Sequence, residues 1–316
     1  MKPWVRKSAG LPLAAGLLLP LAAGLLLPCL ARATDLNSTT PPTAQSPSLP
    51  PQAPTASSSD DRIALSGDGS ALTGTNGGGG GSLSWLHNFN ADTLASVAAE
   101  HQVLGVSHWT FGSLAGALTV GPAEQRYTFS GEAHEGAGDD GTRAFKYGVE
   151  ALSVTGTYFH RVSAQLEDRQ IDVETTHGNL PKVGLTYVWN PHLQTAVAYQ
   201  YSVSGNLGTR LASARIDLLG SVVHLLAGGA WGQASPSVLG FGFTLPARHL
   251  TEGYVGLAKP FPHLRSELTL IADYQRIAGG AGFQGPNNTL FNVPNSTRWT
   301  GTLNYVFHIG HTGQAH

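Results

Sequence analysis

The sequence predicts an all-β fold, a single antiparallel transmembrane β-barrel of about fourteen strands, with about twelve as the alternative count. Three observations carry this expectation. The last strand, residues 297–309, alternates with a period of two. It sets Trp299, Gly301, Leu303, Tyr305, Phe307 and Ile309 on one face and Arg298, Thr300, Thr302, Asn304, Val306 and His308 on the other. The same one-sided alternation recurs from Arg62 onward, with no apolar run of the roughly eighteen residues that a membrane helix needs. Finally, the 316 residues are 41% apolar and 12% charged, with 40 glycines, where an ordinary globular domain carries roughly 45–50% and 25%. A thin outer apolar band around a wet interior suits such a composition.

In chain order, residues 1–33 read as a cleaved signal peptide. Lys2, Arg6 and Lys7 precede an apolar run from Leu11 to Leu30 and the small-residue exit Ala31-Arg32-Ala33. Pro12, Pro20 and Pro28 oppose a retained membrane helix, and Pro28 opposes lipid attachment at Cys29, the single cysteine. Residues 34–61, rich in Pro, Ser and Thr, are expected to be a disordered linker. The barrel itself is expected over 62–309, followed by a periplasmic tail at 310–316.

The clearest hairpin lies at 182–203. Val183, Leu185, Tyr187 and Trp189 share one face, and after Asn190-Pro191-His192 the residues Val197, Tyr199, Tyr201 and Val203 share another. Residues 265–276 and 143–152 repeat the pattern. In the latter, Phe145, Tyr147, Val149 and Ala151 form the apolar face against Lys146, Gly148 and Glu150. Weaker strands are expected at 62–72, 82–90, 94–104, 109–120, 125–134, 157–168, 209–217, 222–231 and 250–259. Short periplasmic turns then fall at 91–93, 121–124, 153–156, 190–192, 218–221 and 260–264. Outside loops fall at 73–81, 135–142, 169–181, 232–249 and 277–296, with the alternating segment Val238 to Leu245 assigned to an outside loop.

Large aromatics concentrate near strand ends, where a bilayer has its interfaces. Trp109, Tyr201, Trp231, Tyr274 and Trp299 mark the outside, and Trp189, Tyr305 and Phe307 the periplasmic side. A soluble periplasmic sandwich or barrel, the alternative for the same alternation, has little use for aromatics placed this way. The polar faces supply candidate lumen-lining residues: Arg126, Glu132, Lys146, Glu150, Arg161, Lys182, Arg215, Asp217, Arg265, Glu267, Asp273 and Arg298, with Glu167 and His224 beside them. Both signs are interleaved, which predicts weak ion selectivity if the lumen is open.

The signal peptide, the amphipathic strands and the closing Tyr305-Val306-Phe307 resemble Gram-negative outer-membrane β-barrel proteins, YaiO-like in general pattern, over about residues 62–309. Such proteins commonly stop at the terminal aromatic, whereas here His308 to His316 follow. The resemblance implies residence in the outer membrane after export, with outer-membrane lipid and the barrel-insertion machinery as partners.

No serine elbow, zinc motif or phosphate-binding glycine loop is present, and no catalytic residue, metal or cofactor is expected. The net charge of −2 gives no footprint for nucleic acid. A rim hydrolase would have to draw on Glu132, His134, Glu135, Asp139, Asp140 and His177, an acidic set that solvated loops also account for. The expected role is a non-enzymatic pore or export channel for small hydrophilic solutes or polysaccharide. The alternatives are a closed barrel acting in adhesion or structure through its outside loops, and the rim hydrolase.

Overall fold

The computed structural model describes residues 60–73, 77–104, 107–139, 144–173, 176–205, 208–234, 247–284, 289–293 and 295–309. The expected signal peptide, most of the linker, the tail and the segment Val238 to Leu245 lie outside them.

Fourteen strands close into one antiparallel barrel. They are β1 (Asp60–Leu72), β2 (Gly78–Asn90), β3 (Thr93–Leu104), β4 (Ser107–Val120), β5 (Gln125–Asp139), β6 (Ala144–Tyr158) and β7 (Val162–Val173), then β8 (Thr176–Asn190), β9 (Leu193–Tyr201), β10 (Arg210–Leu219), β11 (His224–Ala234), β12 (Arg248–Phe261), β13 (Ser266–Ile277) and β16 (Ser296–Ile309). Each pairs with its sequence neighbour, and the seam is made by β1 against β16, from Asp61↔Ile309 to Leu72↔Arg298. Closure leaves no strand edge, so every mid-wall amide finds a partner within the sheet. Between β13 and β16 a separate two-stranded ribbon, β14 (Gly280–Gln284) and β15 (Thr289–Val293), stands outside the barrel sheet.

The alternation sorts side chains as a barrel in lipid requires. On β16 Trp299, Leu303, Phe307 and Ile309 are exposed while Arg298 and Thr300 are buried in the interior. Leu65, Leu83, Trp85, Val97, Leu114, Leu152, Leu166, Val183, Leu185, Val197, Ile216, Val255, Leu257 and Leu270 continue the exposed apolar belt around the outside.

Four stretches depart from the sequence reading. The turn expected at 153–156 instead lies at 159–161, because β6 runs through Gly156 to Tyr158. The reversal uses Phe159 and His160, both in left-handed backbone (φ 50° and 54°), closed by Arg161 N–H donating to the Tyr158 carbonyl at 3.0 Å. Two bulky residues there give no turn signal in sequence. The loops expected at 135–142 and 169–181 are mostly strand, since β5 and β7 run on to Asp139 and Val173 and β8 begins at Thr176. The glycine run expected in a loop at 73–81 is likewise drawn into β2 from Gly78.

Candidate functional site: the barrel interior

Register decides which charges face inward. In the β5–β6 pair Glu132 stands opposite Ala151 and His134 opposite Val149 on the inner face, while Glu135 opposes Gly148 and Ala133 opposes Glu150 on the outer. Lys146 and Glu150 are therefore exposed on the outer face and not in the lumen as the sequence pattern had them. The reason is that β6 changes character along its length. Near the loop end its inner positions are Phe145, Tyr147 and Val149; nearer the turn its inner positions are Ser153, Thr155 and Thr157, and Leu152 is exposed outside. A 15-residue strand exceeds the roughly 9–11 residues that cross a bilayer, so its upper part obeys the rule for water, polar out and apolar in.

Trp109 follows the same logic. It is buried inside with Phe145, Val149, Ile171 and Leu180, rather than sitting at the outer interface. Arg161 and Arg265 belong to neither face: both are exposed in turns, Arg265 at the end of a short 3-10 turn with φ 49°. The remaining aromatics lie on the outer face near strand ends. Tyr274 packs 4.6 Å from Trp299 and Tyr305 4.3 Å from Phe307, and Trp189, Tyr201 and Trp231 are exposed.

Three polar groupings occupy the interior. On β5, β7 and β8 the Arg169 guanidinium donates to Glu132 at 2.6 Å and is ion-paired with Glu167 at 3.4 Å. Lys182 meets the other Glu167 oxygen at 3.4 Å, and His134 lies 3.7 Å from Glu132. On β9 and β10, Arg215 donates to Asp217 at 2.5 Å and Gln194 donates to its second oxygen at 3.0 Å. On β1, β3, β12, β13 and β16, Gln102 donates to Asp68 and to Glu100, each at 3.0 Å, and Gln275 donates to Glu252 at 3.4 Å. Arg298 stands among Asp68, Glu252 and Asp273. Gly80 makes the first of these links possible: a side chain there would collide with Gln102, which reaches across the intervening strand toward Asp68. Glu267 lies at the turn end of β13, where it accepts a 3.5 Å bond from Thr269; Arg126, also near the turns, pairs with Asp92.

Arg169, Glu100, Gln102, Glu252 and Arg248 escaped the sequence reading. Arg169 and Arg248 fall in stretches read as loop. Glu252 shares its face with Leu250 and Tyr254, so neither face of β12 looks clean. The signal that finds them is pairing register, which a single strand's pattern does not contain.

Among the described residues, two atoms of Arg298, Nε and Nη1, and both carboxylate oxygens of Asp273 are buried with no hydrogen-bond partner, as are Thr300 Oγ1 and Asn304 Oδ1. Charged groups persist in such positions when water solvates them. The rim-hydrolase set does not assemble. Glu132 and His134 face inward, Glu135, Asp139 and His177 face outward, and Asp140 lies outside the described residues. Among the described residues no group of three or more His, Cys, Asp or Glu side chains is placed to hold a metal ion.

The sequence matches no protein-family model and no curated protein sequence. In structure the chain is similar to the CymD monoaromatic hydrocarbon channel, with a TM-score of 0.54 at 9% identity over 81% of this chain and 90% of that one. It is also similar to a TodX deletion mutant, likewise a monoaromatic hydrocarbon channel, at 0.50 and 8% identity over 81% and 91%. Omp33 of Acinetobacter baumannii aligns over 79% of this chain and 99% of its own at 10% identity, with a TM-score of 0.45. At such identities the first two likenesses show the fold. Together with the apolar belt, they define the class: a transmembrane β-barrel of the outer-membrane type.

Proposed function

We propose that the protein is a non-enzymatic outer-membrane channel passing small hydrophilic solutes or polysaccharide. The observation that carries this is the inner wall: ion-paired charges and buried polar groups line it from β1 round to β16 while the belt around the outer wall is apolar. A 14-strand barrel is wider than the 8-strand kind that side chains fill, so such a wall encloses water. The two structural neighbours that share the fold are hydrocarbon channels; a lumen with this much fixed charge suits a hydrated solute instead. The YaiO-like likeness is one of strand rhythm and adds no solute.

One observation favours a second reading. The apolar cluster around Trp109 and Ile171 fills part of the loop end, as a closed barrel acting through its outside loops would have it. Single-channel conductance of the refolded protein in a planar bilayer decides, with heat-modifiable gel mobility as proof of folding. Steady conductance steps support the channel. A folded barrel that stays electrically silent overturns it in favour of the closed form.

A further inference from the structure

We propose that the inner wall of β4–β6 at the loop end is a binding subsite for a pyranose ring. The site deepens the channel reading, on which it rests for the sugar's destination; binding to the wall does not itself require an open lumen.

The wall is built around two inward-facing glycines of β5. A side chain on Gly138 would lie 2.6 Å from Phe145 Cζ and 2.7 Å from Trp109 Cβ, and one on Gly136 would collide with Phe111. The middle strand thus gives up its side chains where its two neighbours send aromatic rings inward. Trp109 and Phe145 are buried against Ile171 and Leu180, and form the backing. Phe111 and Tyr147 are only half-buried, and their rings stack at 5.4 Å and 27°. They form the edge of the cluster that the lumen reaches.

Directly below that edge the chemistry changes. His134 meets the Phe111 ring edge-on at 5.9 Å and lies 3.7 Å from Glu132, which accepts from Arg169 at 2.6 Å. A packing cluster needs no such neighbours. An aromatic platform beside fixed donors and acceptors matches the pyranose ring, whose C–H face is apolar and whose rim is hydroxyl. Arg169 and Glu132 set a cationic donor and a carboxylate acceptor beside the rings, held in place by their own ion pair. A bare hydrocarbon would dry these charges and return nothing for them.

The test is calorimetric titration of the protein refolded in a detergent without a sugar headgroup. The probes are maltotriose, cellotriose, trigalacturonate and toluene. At least one of the trisaccharides is expected to bind. Phe111→Ala and Tyr147→Ala should each weaken it about tenfold, equivalent to about 1.4 kcal/mol. Tyr147→Phe should keep most of the affinity, and Thr269→Ala, across the barrel on β13, should leave it unchanged. Gel mobility checks folding, and Phe111→Leu replaces any alanine variant that does not fold. Binding of toluene alone, binding of none of the three sugars, or sugar binding indifferent to both aromatic variants overturns the subsite. Conductance measured in parallel separates the two claims: an open channel that binds no sugar removes the subsite alone, while sugar binding to a silent barrel removes the channel alone.

Discussion

At the scale of single residues, Arg298 is the group on which the interior charge balance turns. It is 4% exposed and shared by Asp68, Glu252 and Asp273. Replacing it with Gln leaves three carboxylates without their common counter-charge. The reversal potential in a salt gradient is then expected to move toward cation preference; an unchanged or anion-ward potential would show that this grouping lies off the conduction path. His160 offers a stability test. Its left-handed backbone costs a residue with a Cβ about 1–2 kcal/mol. His160→Gly is expected to recover about 1 kcal/mol in reversible denaturant unfolding, since the hairpin reverses with positive φ at two successive positions. Arg298 was legible in the sequence because β16 alternates without interruption. Glu252 and Arg169 were not, because the face of a strand is settled by the partner across it and not by its own neighbours along the chain.

Strands show the same limit. Each barrel strand was visible as an alternating run, since period two is dictated by the pleat wherever lipid lies on one side and water on the other. Ends were harder. The β6–β7 reversal uses no glycine, proline or asparagine, and the upper parts of β5, β7 and β8 looked like loop because their outward residues are polar or charged. The glycines of β5 make the element testable in its own right. Gly138→Leu should force Trp109 and Phe145 off their positions and lower the unfolding free energy by about 1–3 kcal/mol, measured by denaturant titration. On β16 the two faces should respond differently to one charge. Leu303→Arg, on the belt midway between Trp299 and Phe307, is expected to cost about 2–4 kcal/mol. Thr302→Arg, one residue away and facing inward, should cost far less; equal costs would contradict the assigned faces.

For the whole molecule, the inner wall mixes signs in every grouping, so the permeability ratio of small cations to anions is expected to stay within a few-fold of unity. Strong selectivity in a bi-ionic measurement would mean that one grouping alone controls passage. The fold class was readable from composition and alternation, and the interior was readable only as a set of polar faces. How those faces meet across the barrel depends on register around a closed ring.

The reversal of character along β4 to β8 has one more consequence. On the outer face, exposed Leu152 of β6 stands beside Asp168 of β7, and exposed Leu166 of β7 beside Val154 of β6. Oil therefore gives way to water within a single step of the strand. The protein carries a draught mark, like a ship's, that fixes how deep it floats. A bilayer thicker than the belt would submerge Glu150 and Asp168, and a thinner one would leave Leu152 and Leu166 dry, so membrane thickness itself becomes something this wall resists and registers.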